Sequence, residues 1–449
     1  MKRHQIVKLL ALNILAGFFA LSLNVSALRA EDAVITDNQH LESTITLMEC
    51  YDLALKRSDS LAISKEEIER AEAAFFEASG EALGHVDFIA TSTRQDAEEE
   101  TASSEGSSVG STFSARERTE SRFAINQPLF QGFKSLGALT GAGNLKQQRK
   151  KEWIRAQHLL FLDVAQSFYQ VLRYQKELEI IQQIRKSLAE RVEELQKREQ
   201  IGRSRQSELA TANVGLKNIE AELAKSEGAL KAEQNILEFL IGIPIKGLIL
   251  KDVIIPEEEI ILERSLATVE MRPDVEAAEN AMKLARKSII VTQSDLWPAV
   301  SLEYNRYTER DGFQSNIDWD ALFKIDVPLF RGGATLGKIK DSISKWKQSK
   351  FAYSRTKREA ELDIKQSFQN WQTTNEQYKA LRESVFASEE NFKLQKEEYD
   401  RSLVNNLDVL QALENLYRAN LQANEIYYQM KLSHWQLQVA SGQCCSEQA

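Results

Sequence analysis

Four segments of the chain alternate hydrophobic and polar residues with a period of two, the pattern of β-strands that have one apolar face. Residues 299–309 and 313–327 show the alternation clearly, and residues 85–95 and 113–127 show it more weakly. A strand of about 9–11 residues can cross an outer membrane. On the last strand, the apolar residues that we expect to face lipid are Phe313, Ile317, Trp319, Phe323 and Ile325.

The segments that follow each pair of strands predict very long helices. No proline occurs between positions 129 and 243 or between positions 329 and 449. Hydrophobic residues recur at every seventh position from Ile364 to Tyr399, which is a coiled-coil period. Such helices need a partner along their whole length, so we predict antiparallel pairs. The predicted pairs are 133–201 with 205–242 and 332–401 with 406–441.

The chain contains two copies of one unit. The segment Phe123–Gly132 recurs in the second half of the chain as Phe323–Gly332. We therefore divide the chain into a first structural repeat, 31–246, and a second, 247–449. Each repeat is expected to open with a helix and to continue with two strands and a helix pair. The opening helices are predicted at 47–82 and 262–296.

The segment 1–30 has the features of a secretory signal peptide. Basic residues precede an apolar stretch, and small residues follow, with cleavage expected after Ala27 or Ala30. The alternative is an uncleaved membrane anchor. After this segment no stretch approaches the roughly 20 apolar residues of a membrane helix. The sequence therefore predicts an exported protein and excludes an inner-membrane transporter.

Composition narrows the possible chemistry. The net charge of −9 argues against a nucleic-acid partner. Three cysteines cannot form a disulfide framework, and we expect Cys50 to be a small buried residue, with no role assigned to Cys444 and Cys445. We predict no enzymatic activity, catalytic residue, cofactor or metal site. The histidines are scattered without ligand spacing, at His4, His40, His85, His158 and His434.

Several motifs, in a fixed order, resemble those of the TolC-type outer-membrane efflux and secretion channels over residues 44–442. They are Gln127–Gly132 and its copy Val327–Gly332, Arg272-Pro273-Asp274, Leu240-Ile241-Gly242, and Tyr399–Ala412. The resemblance implies a mainly α fold with membrane β: a homotrimer with a 12-stranded barrel in the outer membrane and an α-helical periplasmic tunnel. It also implies two protein partners, a periplasmic adaptor and an inner-membrane transporter of RND or ABC type.

The same resemblance suggests residues for a gate at the periplasmic end. Asp408 matches an acidic residue that forms a ring in the trimer, while Tyr399 and Glu208 match a tyrosine and an acid that tie the two hairpins together. Gln411 stands where the prototype has a second aspartate, and Val404 stands where it has an arginine. The alternative for both acids is helix-start chemistry, since carboxylates in a first turn complement the helix dipole.

The two turns between the long helices resemble the tips on which adaptors of this family dock. An alternative is that they are simple turns. The residues concerned are Gly202, Arg203 and Ser204 in the first repeat and Ser402, Leu403 and Val404 in the second.

The sequence thus predicts a passive export duct with three alternatives. A periplasmic coiled-coil adaptor, or membrane fusion protein, would also follow a signal peptide, but it should have one hairpin among β-rich domains. A soluble periplasmic scaffold would share the coiled coil, and a soluble sheet packed on one face would share the alternating strands.

Overall fold

A computed structural model describes residues 44–94, 117–253, 260–311 and 314–443. The predicted signal peptide, Phe313, Cys444 and Cys445 lie outside the described residues. The elements in chain order are β1 (Thr44–Ile45), α1 (Leu47–Arg57), α2 (Asp59–Leu83), β2 (His85–Arg94), β3 (Glu117–Gln131), α3 (Lys134–Gln200), α4 (Gln206–Ile241), β4 (Ile249–Leu250), α5 (Leu262–Ala267), α6 (Pro273–Gln293), β5 (Ala299–Arg310), β6 (Trp319–Asp326), α7 (Ala334–Asp400) and α8 (Asn406–Ala440).

The long helices form two antiparallel hairpins, α3 with α4 and α7 with α8. Helices α3 and α7 have 67 residues each, which corresponds to a length of about 100 Å. The heptad stripe of α7 faces α8: Ile364 is fully buried, and the ring of Tyr378 lies 5.2 Å from that of Tyr427. The predicted coiled-coil seam is therefore the contact between the helices.

Both opening helices are interrupted: the first at Ser58, which the sequence did not predict, and the second at the Arg272-Pro273-Asp274 motif, where the proline predicts that the helix restarts. Ser58 has an extended backbone, ends α1, and caps α2 by accepting a hydrogen bond from the Leu61 amide. In the second repeat, α6 begins at Pro273, whose missing amide hydrogen costs nothing at the first helical position. Short 3-10 turns at 269–271 and 294–296 flank α6.

The four membrane-type strands form one antiparallel sheet in the order β2-β3-β5-β6. Strand β3 continues through Pro128 with a register irregularity between Pro128 and Phe130, so it ends later than predicted. Strand β6 begins at Trp319 and not at residue 313, because residues 314–316 make the turn from β5. Ile317 therefore lies in the approach to the strand, where its amide donates to the Gln314 carbonyl at 3.0 Å.

The main core lies around the middle of α3. Phe161, Val164 and Phe168 have no exposed surface and pack against residues of α1, α4 and the segment after α4. Cys50 belongs to this core, as predicted, and burial raises the pKa of its thiol to about 12. The position matching Phe168 in the second repeat, Phe368, is only half-buried, so the two repeats contribute unequally to this core.

The first residues of the second repeat are fastened to the last helix by a buried ion pair. Its strand β4 pairs in parallel with β1. Just after β4, Asp252 accepts hydrogen bonds from the Lys431 ammonium and the Tyr427 hydroxyl. Burial lowers the pKa of Lys431, although the Asp252 carboxylate opposes that shift. A linker that would otherwise cross the surface is thus fixed at one point on α8.

The Arg272-Pro273-Asp274 motif ties α6 to the end of α8. The Arg272 guanidinium makes two bonds to the Asp274 carboxylate, at 3.0 and 2.7 Å, and donates to the Ala440 carbonyl at 2.9 Å. A fourth bond reaches Asp363 on α7 at 2.9 Å. Because carbonyls in the last turn of a helix lack helical partners, a buried cation there satisfies them and complements the helix dipole.

Asp274 is expected to stabilise the fold only above acidic pH. Burial alone would raise its pKa, but the hydrogen bonds and charge of Arg272 outweigh burial and hold that pKa below its ordinary value. Stability from this pair is therefore present above the unfolded pKa of about 3.9 and is lost as pH falls through the folded pKa. We expect Asp274→Asn to lower the free energy of unfolding at pH 7 by about 2 kcal/mol, and the difference from wild type to shrink as pH falls below about 4.

Urea unfolding of the detergent-solubilised protein at pH 7, 5 and 3 measures this effect. The matched control is Asp295→Asn, which removes an exposed ion pair with Lys338. Because exposed pairs contribute little, the control should change stability by less than about 0.5 kcal/mol. A loss at Asp274 that stays constant over the pH range would contradict the assignment.

Candidate functional site

The two hairpins end in turns of the same geometry, one in each repeat. In the first, the Arg203 amide donates to the Arg198 carbonyl at 2.7 Å, and in the second, the Leu403 amide donates to the Glu398 carbonyl at 2.9 Å. Each turn needs a left-handed residue just before that amide. Gly202 supplies it with φ 70°, whereas Ser402 adopts φ 58° despite its side chain. Ser402 therefore carries backbone strain that its counterpart avoids.

The hairpin tips present apolar and basic side chains to solvent. Ile201 is 67% exposed and Leu403 is 69% exposed. Arg203 and Arg401 are exposed beside them, while Ser204 and Val404 are half-buried. The six residues predicted from the sequence thus lie in the two turns, and the pairing of arginine with an exposed aliphatic residue occurs in both.

Asp408 takes part in the start of α8. The Asn405 side chain accepts from the amides of Leu407 and Asp408 at 2.7 and 3.2 Å, and the Asp408 carboxylate accepts from the Asn405 amide at 3.1 Å. This reciprocal arrangement is a capping box. The Asp408 side chain nevertheless remains exposed, as does Gln411 one turn later. The helix-start role is therefore present, and it leaves the carboxylate accessible from solvent.

Glu208 and Tyr399 make different contacts in this structure. Glu208 lies in the first turn of α4 and accepts from the Ser204 hydroxyl at 2.8 Å. Within the described part of the chain, no hydrogen bond joins Glu208 to the Tyr399 hydroxyl. The hydroxyl–carboxylate bond implied by the resemblance is therefore not formed in this structure. The Glu208 carboxylate bonds Ser204 instead.

Tyr399 instead lies between two arginines of the other hairpin. Its side chain is 7% exposed at the end of α7. The guanidinium carbon of Arg191 lies 3.7 Å from the ring centroid, and that of Arg198 lies 4.6 Å from it. Both distances are within the range of cation–π contacts. Sequence reasoning missed these arginines, although Arg191, Glu194 and Arg198 share one face of α3 by their spacing of three and four positions.

The sheet has one exposed apolar face. Alternation and register place Phe88, Phe123, Trp319, Phe323 and Ile325 on the same face. Trp319 is 55% exposed, Phe323 is 59% exposed and Ile325 is 58% exposed. Ile317 is also exposed, next to the start of the strand. Large apolar side chains exposed in this number mark a surface that another apolar phase covers.

The opposite face of the sheet carries a charged network. Tyr307 donates its hydroxyl proton to Asp320 at 2.7 Å, and the Asn305 amide donates to the same carboxylate at 2.9 Å. Nearby, Glu120 accepts from Arg122, and the Arg310 guanidinium lies 3.9 Å from the centroid of the Tyr307 ring. One face of the sheet is therefore mainly apolar, and the opposite face carries charged and hydrogen-bonding side chains.

Comparison with known proteins agrees with this geometry. The family model for outer membrane efflux protein matches residues 50–243 and 267–443. The chain belongs to the outer membrane efflux protein family. The cation efflux system protein CusC of Escherichia coli is 22% identical over 305 residues, which are 64% of this chain and 65% of CusC, just under two thirds of its length. The outer membrane protein TolC of Vibrio cholerae is 24% identical over 337 residues, 71% of this chain and 75% of TolC.

Solved structures of outer membrane proteins share the fold. The crystal structure of VceC from Vibrio cholerae superposes with a TM-score of 0.76 at 18% identity, covering 88% of this chain and 96% of VceC. The predicted fold class, mainly α with long antiparallel helices and β-hairpins for the membrane, is confirmed at this level. As a member of the family, the chain is an outer-membrane protein. Among the described residues, every helix is too polar or too short to cross a lipid bilayer.

The cap at the start of α8 should contribute measurably to stability at this end of the efflux protein. We expect Asn405→Ala to lower the free energy of unfolding by about 1 kcal/mol, because it leaves two amides of the first turn without their acceptor. Asn405→Ser should cost only a few tenths, since serine also caps well. Thermal unfolding followed by circular dichroism measures both, and equal losses for the two variants would contradict a capping role.

Proposed function

We propose that this chain is the outer-membrane exit duct of a tripartite efflux pump or a type I secretion system. It would export small molecules or polypeptides passively from the periplasm or cytoplasm to the exterior. The observation that carries the proposal is the combination, in one chain, of a sheet with one apolar and one charged face and two hairpins built on the long helices α3 and α7. A periplasmic adaptor or a soluble scaffold has no use for the exposed apolar face.

The sheet supports assembly as a homotrimer. Strands β2 and β6 are the edges of a sheet of only four strands, which cannot close on itself. Inside lipid, each unpaired backbone group on those edges would cost several kcal/mol. Three copies joined edge to edge give a closed 12-stranded barrel without such groups. The apolar face then contacts outer-membrane lipid, and the network of Glu120, Tyr307 and Asp320 lines the lumen.

The hairpins would extend this duct through the periplasm. Helices of the length of α3 and α7 span about 100 Å, and three copies of two hairpins provide the wall of a tunnel. The tips, with Ile201, Arg203, Arg401 and Leu403 exposed, are the surface offered to a periplasmic adaptor. The driving energy would come from an inner-membrane transporter of RND or ABC type.

We place a charge-selective constriction at the inner end of the tunnel. Asp408 is exposed in the first turn of α8, so three copies around a narrow axis would repel one another and attract cations. Tyr399, Glu208 and Gln411 lie in the same region, near the tips. The gate would combine this ring with contacts that hold the hairpins of each protomer together.

The two faces of β6 offer a direct test of membrane insertion. Phe323 and Leu322 are neighbours of similar exposure, 59% and 52%, on opposite faces of the sheet. We expect Phe323→Arg to lower the stability of the trimer in lipid by about 2–4 kcal/mol, and Leu322→Arg by less than about 1 kcal/mol. Unfolding by guanidinium in lipid vesicles measures both. Equal costs, or a greater cost at Leu322, would contradict the proposed orientation.

The proposed constriction predicts the sign of ion selectivity. In a planar bilayer, the purified trimer should conduct with a preference for cations. Asp408→Asn should reduce that preference by about twofold or more, because it removes three charges from the ring while keeping a capping side chain. Gln411→Asp should increase the preference, since it adds a carboxylate one turn along the same helix.

Reversal potentials in a potassium chloride gradient measure these changes. A wild-type trimer that leaves the bilayer inert would contradict the duct. A duct whose selectivity is unchanged by both substitutions would contradict only the Asp408 ring.

A further inference from the structure

One face of α3 holds two guanidinium groups in a fixed arrangement. The Glu194 carboxylate accepts from Arg191 with one oxygen at 2.8 Å and bonds the Arg198 guanidinium with the other at 2.7 Å. The Arg191 side chain is 7% exposed, whereas the Arg198 side chain is 32% exposed. The Glu194 carboxylate therefore positions both guanidinium groups through contacts within α3 alone. Arg191 is buried, and Arg198 is partly exposed.

The ring of Tyr399 fills the place between these cations. At 3.7 and 4.6 Å from the two guanidinium carbons, the ring is in contact with both. Since the tyrosine is buried, water screens the contacts little, and cation–π attraction is strongest under such conditions. Two of these contacts on one ring join α3 of the first hairpin to the end of α7 in the second.

The same two arginines reach both helices of the second hairpin. Arg191 Nε donates to the Asn406 side chain at 2.7 Å, and Asn406, the first residue of α8, is 2% exposed. Arg198 lies 3.6 Å from the carboxylate of Asp400, the last residue of α7. The contact therefore spans the turn that forms the second tip and fixes both of its helices to α3.

Next to it, further from the tips, apolar residues from the same helices pack together. Ile184 and Leu188 of α3 and Leu413 of α8 are buried in this cluster, with Phe392 of α7 at its edge. The contacts of Arg191 and Arg198 with the second hairpin therefore lie beside this apolar cluster, on the side nearer the tips. The polar contact is not fully satisfied, because Nη2 of Arg191 is buried without a hydrogen-bond partner among the described residues.

We infer that Arg191 and Arg198 form a clamp on the aromatic ring of Tyr399, and that this clamp holds the two hairpins of each protomer together at the proposed gate. The inference rests on the proposed function for its consequence, the restriction of the duct. In this clamp the ring of Tyr399 is required and its hydroxyl is dispensable. The arginines come from the first hairpin, and Val404 in the second tip supplies no charge.

The unsatisfied nitrogen is consistent with a contact that opens. A buried donor without a partner regains hydrogen bonds with water when the hairpins separate, so the closed arrangement is less favoured than a fully paired one. Separation of the second hairpin from α3 would expose the Arg191 guanidinium and widen the end of the tunnel.

The decisive comparison is between Tyr399→Phe and Tyr399→Leu in planar-bilayer recordings of the full trimer. The phenylalanine variant keeps the ring and should show wild-type open probability to within about twofold, whereas the leucine variant should raise it about tenfold by removing both cation–π contacts. Arg191→Ala should match the leucine variant. The double variant Arg191→Ala with Tyr399→Leu should add little to either single change, because the residues act as one unit.

Two controls are available on the same helices. Tyr378→Leu removes a half-buried tyrosine three heptads earlier on α7, where the partner is Tyr427 and not an arginine. Arg185→Ala removes an exposed arginine of α3. Neither should change the open probability, and all variants must elute as the wild-type trimer does.

A second measurement tests the clamp even if the protein does not conduct. Hydrogen exchange of the amides at 400–410 should accelerate at least about tenfold in Tyr399→Leu and remain unchanged in Tyr399→Phe. If the phenylalanine variant opens or exchanges as fast as the leucine variant, the hydroxyl is the essential group and the clamp is wrong. If neither variant differs from wild type, the clamp is also wrong. An inert wild-type bilayer with the expected exchange pattern would contradict the duct and leave the clamp standing.

Discussion

Helices as long as α3 and α7 cannot bury their apolar stripes on a compact core, and the rest of this structure follows from the need to cover those stripes along their length. Antiparallel pairing provides the first cover, since α4 and α8 return along α3 and α7. The opening helices provide the second, because α2 and α6 both pack against α3. Near the hairpin ends, the contacts between Arg191, Arg198 and Tyr399 add to the antiparallel pairing.

The duplicated sequence does not give two equivalent hairpins. Helix α3 packs against several other helices and carries the fully buried Phe161 and Phe168. Much of α7 is exposed, including Phe351 and Phe386 at 71% each. In the proposed trimer these exposed rings are the surface that a neighbouring copy covers. The repeat therefore explains the order of the elements, and divergence between the repeats distinguishes the buried packing within the protein from the surface that the proposed trimer would cover.

Much of the fold could be predicted because its signals are periodic, whereas the contacts of the candidate site could not. Heptads predict the long helices and period-two alternation predicts the strands, but Ser58 breaks the first helix through one local cap, about which periodicity carries no information. Family resemblance located Tyr399 near the hairpin ends and implied a bond to Glu208, which the structure pairs with Ser204. Arg191 resembles an ordinary solvated charge in the sequence, since nothing local marks the face that will meet a residue of the other repeat.

The identity of the groups at the hairpin ends has a physical consequence for the proposed gate. A bond between a hydroxyl and a carboxylate weakens when acid protonates the carboxylate. Arginine stays charged at any pH a protein encounters, and an aromatic face needs no proton to attract it. The two cation–π contacts on the ring of Tyr399 therefore need no proton, in contrast to the hydroxyl–carboxylate bond that the resemblance implied. In the proposed pump, a partner docked at the exposed tips would break these contacts by separating the two hairpins.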